Sequence, residues 1–168
     1  MVAYSPREVA TSLPVLIEPT PPTETHKGRV AGFRRCDDRV EWELSPEYVR
    51  VVGMEQRILA RYVLGYDSRA TLCRRYGYSE RQVQSVIRGE TYKWLTQPVR
   101  DRFVALGICG PNAARSFARD AAVKAALEKL AARAWDVLCR PARYTPSEIM
   151  EVSTDLYLIS GAWREDEA

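Results

Sequence analysis

The chain has 168 residues, 46% hydrophobic and 28% charged, with a formal net charge of +3. That length fits one domain, or one domain with an arm, and the hydrophobic share argues against global disorder. No apolar run reaches the roughly 20 residues of a membrane span, and Met1–Pro14 lacks a charged stretch followed by an apolar block. The sequence therefore predicts a soluble, cytoplasmic protein with no membrane partner.

Residues 1–27 predict an extended Pro-rich arm. Val15-Leu16-Ile17 is its apolar run, and Pro14, Pro19, Pro21 and Pro22 bracket it. Proline removes amide donors and biases its predecessor away from helix. Such an arm is either a mobile tail or a grip on a partner subunit or a DNA groove. Residues 28–44 alternate: Val30 and Phe33 precede a turn at Cys36-Asp37-Asp38, and Val40, Trp42 and Leu44 repeat with period two. That spacing predicts a small N-terminal β-hairpin with the last three on its buried face.

From Ser45 the chain reads as helix after helix, so the fold class is mainly α. Ser45-Pro46 opens the first helix, which runs through Val51, Ile58 and Tyr62 to Gly65 with a break near Gly53. Thr96-Gln97-Pro98 opens a shorter helix ending at Gly107. A long helix from about Ala113 to Cys139 stops at Pro141. Thr145-Pro146 caps a last helix that ends before Gly161, and the acidic Glu165-Asp166-Glu167 tail should fray. The domain organisation is then an arm at 1–27, a helical module with the hairpin at 28–97, and a helical C-terminal region at 98–168.

The informative stretch runs from Asp67 to Gly89. Helices at about Ser68–Tyr76 and Glu80–Arg88 leave Gly77-Tyr78-Ser79 as the turn. A tight turn between crossing helices needs one left-handed residue, which Gly77 supplies without steric cost. Ser79 caps the second helix, with Gln82 completing a capping box. Leu72, Tyr76, Tyr78, Val83, Val86 and Ile87 fall where the helices face each other, and Cys73 sits where close approach demands a small side chain.

This pattern resembles the helix-turn-helix DNA-binding family. Leu72, Cys73, Tyr76, Gly77, Tyr78, Val83 and Val86 match its apolar, small and glycine positions, although alanine is commoner than cysteine at position 73. Arg57–Gly65 looks like the first helix of a tri-helical module. Ile87-Arg88-Gly89-Glu90-Thr91-Tyr92-Lys93-Trp94 resembles the ending of such modules in phage regulators and homing-endonuclease tails. The resemblance covers about residues 50–97 and implies a tri-helical core, with two or three additional helices following it.

With Val83, Val86 and Ile87 buried, the opposite face of the second helix carries Glu80, Arg81, Gln84, Ser85 and Arg88. Arginine offers a bidentate fork to guanine and glutamine does the same for adenine, so Arg81, Gln84 and Ser85 are the expected base readers. Glu80 joins them if it accepts from a cytosine amino group. Arg69, Arg74, Arg75, Arg88, Thr91 and Lys93 are the expected phosphate contacts. Arg74 and Arg75 are adjacent on a helix and cannot both reach one strand, so one of them is expected to be structural.

Charge distribution supports a polyanion partner. From Arg50 to Arg102 there are eleven Arg or Lys against five Asp or Glu, a balance of +6, while the other residues carry 14 positive and 17 negative groups. Clustered cations release counterions from phosphates. Catalysis lacks candidates: His26 is the one histidine, and Cys36, Cys73, Cys109 and Cys139 lie at least 30 residues apart, with no Gly-rich phosphate loop. No enzyme activity, metal or cofactor is expected, and the cysteines read as reduced thiols.

Val123, Leu127, Leu130, Ala134 and Val137 step by 4, 3, 4 and 3. This is either a core face packing on the last helix through Trp135, Leu138, Ile149, Leu156 and Tyr157, or a short homodimer seam through the 113–139 helix. The sequence thus points to a repressor-like, sequence-specific regulator of double-stranded DNA, of phage or mobile-element type. A small-terminase-like packaging component is one alternative. An adaptor that binds RNA polymerase or another protein through the same helices is a second.

Overall fold

The computed structural model describes residues 13–19, 33–36, 41–44, 46–90, 93–108 and 116–167. Six α-helices are described: α1 (Pro46–Val63), α2 (Arg69–Tyr76), α3 (Glu80–Arg88), α4 (Lys93–Ala105), α5 (Ser116–Cys139) and α6 (Pro146–Ser160). Short 3-10 turns follow α5 at Pro141–Arg143 and α6 at Ala162–Glu167. None of these helices is long and apolar enough to cross a membrane.

The fold is all-α but for one short ribbon, so the hairpin expected in the 28–97 module is corrected to two four-residue strands. Strands β1 (Phe33–Cys36) and β2 (Glu41–Leu44) pair antiparallel, Phe33 opposite Leu44 and Cys36 opposite Glu41. Two four-residue strands cannot form an independent layer, and the core of the described residues is built from the helices and the arm segment. Val40 and the side chains of Trp42 and Leu44 lie outside the described residues.

Helix α1 is the hub. It packs on α2, α3 and α4, while α5 packs on α6. One face of α1 buries Met54 and Ile58 with Leu72, Tyr76, Val83, Val86 and Ile87 of α2 and α3. Another buries Leu59, Ala60 and Val63 with Val99 and Phe103 of α4, Leu130 of α5, Leu158 and Ile159 of α6, and Trp163. A helix that is apolar on more than one side is a buried helix, which is how α1 holds the two clusters together.

Several boundaries differ from expectation. Helix α1 is continuous through Gly53, because this glycine serves a close approach and not a break. A Cβ there would stand 2.5 Å from the carbonyl oxygen of Leu13. Helix α4 starts at Lys93, runs across residue 97 and carries Pro98 inside it. Ser45 and residues 113–115 lie outside the described residues, so the expected cap before Pro46 and the start of α5 at Ala113 are not covered. The Pro141 stop holds. So does the Thr145 cap of α6, where Glu148 completes a capping box, and α6 ends at left-handed Gly161.

The arm segment 13–19 neither floats nor reaches away from the chain. Leu13, Leu16 and Pro19 are buried. The Leu16 and Ile17 amides donate to Gln56 Oε1 at 2.9 and 3.1 Å, and Gln56 Nε2 donates to the carbonyls of Ile17 (2.7 Å) and Leu95 (2.9 Å). Arg57 donates to the Pro14 carbonyl. A buried glutamine that uses both ends of its amide satisfies backbone groups which would otherwise be stranded away from water.

The acidic tail is likewise docked and not frayed. Glu167 pairs with Arg61 and lies 3.3 Å from Arg57 Nε, and Tyr76 donates to it at 2.7 Å. Both guanidiniums lie against the face of buried Trp163, 6.0 and 5.4 Å from its centroid. Two otherwise buried cations explain why the carboxylates are drawn in. On α5, Leu130 is buried and Val123 and Leu127 pack against the same core, so this face belongs to the fold. Trp135 and Leu138, expected to pack on α6, are 69% and 75% exposed. Trp135 lies about 140° around the helix from Leu130, which turns it outward.

Candidate nucleic-acid interface

The α2–α3 pair is set by local chemistry. Ser68 caps α2, accepting from the Thr71 amide. Gly77 ends it at φ 69° and ψ 22°, with its amide donating to the Cys73 carbonyl. Ser79 and Gln82 form the reciprocal capping box that opens α3: the Gln82 amide donates to Ser79 Oγ at 3.2 Å and the Ser79 amide to Gln82 Oε1 at 2.9 Å. Gly89 closes α3 at φ 70°. Cys73 and Tyr78 are half-buried against the cluster containing Val83, Val86 and Ile87. One face of α3 is thereby fixed inward and the direction of the other is set.

That other face presents Glu80, Arg81 and Arg88 as exposed residues, with Gln84 and Ser85 half-buried beside them. Of the expected phosphate contacts, Arg69, Arg74 and Lys93 are exposed, and Arg74 makes a long 3.5 Å contact to Thr71 Oγ1. Arg75 resolves the adjacent pair. Its Nε donates to Asp67 at 3.2 Å, and Asp67 also accepts from Arg61 at 3.0 Å, so Arg75 is the structural member. Arg88 pairs loosely with Glu90 at 3.6 Å. Thr91 lies outside the described residues.

The basic excess between Arg50 and Arg102 is only partly a surface property. Arg57 and Arg61 are buried around Trp163. Arg100 donates to the carbonyls of Ile87 and Val86 at the end of α3, and burial lowers its pKa. Arg102 grips Asp155 of α6, with Nε donating to Oδ1 at 2.7 Å. Among the described residues of that stretch, the exposed cations therefore sit on α2, on α3 and at the start of α4.

Two features escaped the sequence reading. Glu18, Lys93, Trp94, Gln97, Pro98 and Asp101 border an open hollow of about 530 Å³. More telling is a cleft of about 330 Å³ between α1 and α3, lined by Val51, Glu55, Tyr78, Arg81, Gln82, Ser85 and Val86. Glu55 is 6% exposed, its Oε2 has no hydrogen-bond partner, and burial pushes its pKa from 4.5 up to about 7. Tyr78 is pushed up too, by burial and then by Glu55. Periodicity could place Glu55 on α1; nothing local in the sequence signals a carboxyl left open beside α3.

Among the described residues no cluster of His, Cys, Asp or Glu could hold a metal ion, and Cys73 and Cys139 are free thiols. No protein-family model, curated protein or solved structure matches the chain.

Proposed function

We propose that the chain is a helix-turn-helix regulator that binds double-stranded DNA in the cytoplasm, reading the major groove with α3 and occupying an operator as a phage or mobile-element repressor does. The observation that supports this reading is the outward edge of α3, where Arg81 stands exposed next to Gln84, Ser85 and Glu80 on a helix locked at both ends. Arg81 and Gln84 are the base readers, with Ser85 and Glu80 beside them. Arg69, Arg74, Arg88 and Lys93 set register on phosphates, with Thr91 following α3 in sequence. Arg75 leaves the phosphate set because Asp67 already holds it.

Selection from a randomised duplex pool tests the reading. The full chain enriches one defined site, and Arg81→Ala or Gln84→Ala relaxes discrimination at one or two base pairs, each worth about 1–3 kcal/mol. Lys93→Ala weakens all duplexes alike and flattens the salt slope by about one. A pool that remains random after selection refutes the proposal, and binding that is equally sequence-blind in parent and variants refutes base reading.

A DNA-packaging component is the second reading. The exposed Trp135 and Leu138 on α5 favour it, since such residues fit self-association. Native mass separates the two, a ring of many subunits indicating packaging and a monomer or dimer indicating regulation.

A further inference from the structure

We propose that the cleft between α1 and α3 is a binding site for a small zwitterion carrying an amine and a carboxylate, a free α-amino acid being the simplest, with Glu55 taking the ammonium end and Arg81 the carboxylate end. The volume of about 330 Å³ lies at the lower end of small-molecule sites and suits a ligand of that size. Its walls are mixed in the way such sites require: Val51 and Val86 are apolar, Tyr78 is aromatic, and Gln82 and Ser85 are polar.

The decisive feature is Glu55. A carboxyl that is 94% removed from solvent with one oxygen unpartnered has lost hydration that no protein donor replaces at that oxygen. A donor entering the cleft offsets that loss, and an ammonium does so best because a charge-assisted hydrogen bond is the stronger kind. A simple cation fits less well, because Arg81 lines the same cleft and opposes a second positive charge. A simple anion meets Glu55. A molecule carrying both charges matches both residues.

Tyr78 from the turn and Arg81 from α3 are the titratable or charged groups that line the cleft with Glu55. Because Glu55 titrates at about 7, its carboxylate is present at about pH 8 and absent at about pH 5.5. Ligand affinity therefore rises with pH. On the proposed function the ligand is also an effector, since it draws on Arg81; this second step rests on the DNA-binding reading, and the site itself does not.

The experiment uses the full chain without DNA at about pH 8. Free L-amino acids are offered singly at about 5 mM, read by melting temperature and by amide shifts of residues 78–86. At least one raises the melting temperature by about 3 °C and moves those amides. Its Nα-acetyl derivative and its carboxamide do neither, and the affinity of the responding amino acid falls about thirtyfold at about pH 5.5. Glu55→Gln abolishes it. Val51→Trp, which fills the cleft while keeping Glu55, does the same and covers the case in which the first variant misfolds. Silence from every free amino acid overturns the site, as does an unchanged response in Glu55→Gln or Val51→Trp. Equal response to the carboxamide overturns the role of Arg81. With a selected duplex present, the ligand weakens DNA binding severalfold; unchanged affinity overturns the effector role.

Discussion

Replacing Glu55 with Gln should stabilise this protein in mild alkali and leave it unchanged in mild acid. In the unfolded chain the carboxyl titrates near its ordinary 4.5, and in the fold burial moves it to about 7. Between those values the native state holds a proton that the unfolded state has released. Stability therefore falls as pH rises through this window and is fully eroded above about pH 7. The gap of 2.5 units, at about 1.4 kcal/mol per unit, amounts to about 3 kcal/mol. Glutamine has nearly the shape of the protonated acid and cannot ionise, so it escapes the loss. Its amide inherits the same unpartnered position, a cost of about 1–3 kcal/mol that the neutral acid already bears. Urea unfolding at about pH 4 and about pH 8.5 measures the difference. With a slope of about 2 kcal/mol per molar for a chain of this size, the variant's midpoint should exceed the parent's by about 1.5 M at the higher pH and match it at the lower. Every other titrating group is common to both proteins and cancels. Parallel pH curves would refute the claim that a buried, uncompensated carboxyl sits under α3.

Two further outcomes follow from the docked ends of the chain. Gln56→Leu strands the Leu16 and Ile17 amides and the Ile17 and Leu95 carbonyls, and should cost about 3–5 kcal/mol in urea unfolding, with the Leu16 and Ile17 amides losing hydrogen-exchange protection. A loss under about 1 kcal/mol would show that the arm is held by apolar contact alone. Glu167→Ala leaves Arg57, which is 0% exposed, and buried Arg61 short of their carboxylate, and should cost about 3–5 kcal/mol in the same assay; an unchanged midpoint would mean that the tail contributes no latch.

The part of the fold that could be read from sequence is the part governed by neighbours in the chain. Gly77, the Ser79–Gln82 box and the spacing of Val83, Val86 and Ile87 act within one or two helical turns, so residue type and interval suffice to place them. What escaped depends on distant partners. Gly53 reads as a break, and Gln56 interrupts the apolar rhythm of α1 with no local sign that it is buried. Both are required by an arm some 40 residues earlier, one to bond its backbone and the other to admit it. The hairpin spacing gave a local ribbon, but no local signal tells whether a ribbon joins a core. Trp135 and Leu138 read as core because they are large and apolar, while the helical turn places them outside.

Arginine shows the same limit with more consequence for function. Counting charges between Arg50 and Arg102 treats every guanidinium as surface, yet Arg57, Arg61, Arg100 and Arg102 are engaged by Glu167, Asp67, the carbonyls ending α3 and Asp155. Their partners on α6 and in the tail lie about 50 to 110 residues away in sequence, beyond any pattern a motif can carry. Removing these four from the count narrows the polyanion argument and also localises it. The described cations of that stretch that remain exposed, Arg69, Arg74, Arg75, Arg81, Arg88 and Lys93, occur in α2, in α3 and at the first residue of α4, with Arg75 held by Asp67. The internal arginines hold the helices on which those residues stand, Arg100 at the end of α3 and Arg61 through Tyr76 at the end of α2. Mutating an internal arginine would therefore impair binding by disturbing the platform, and only the exposed set should alter salt dependence without altering stability.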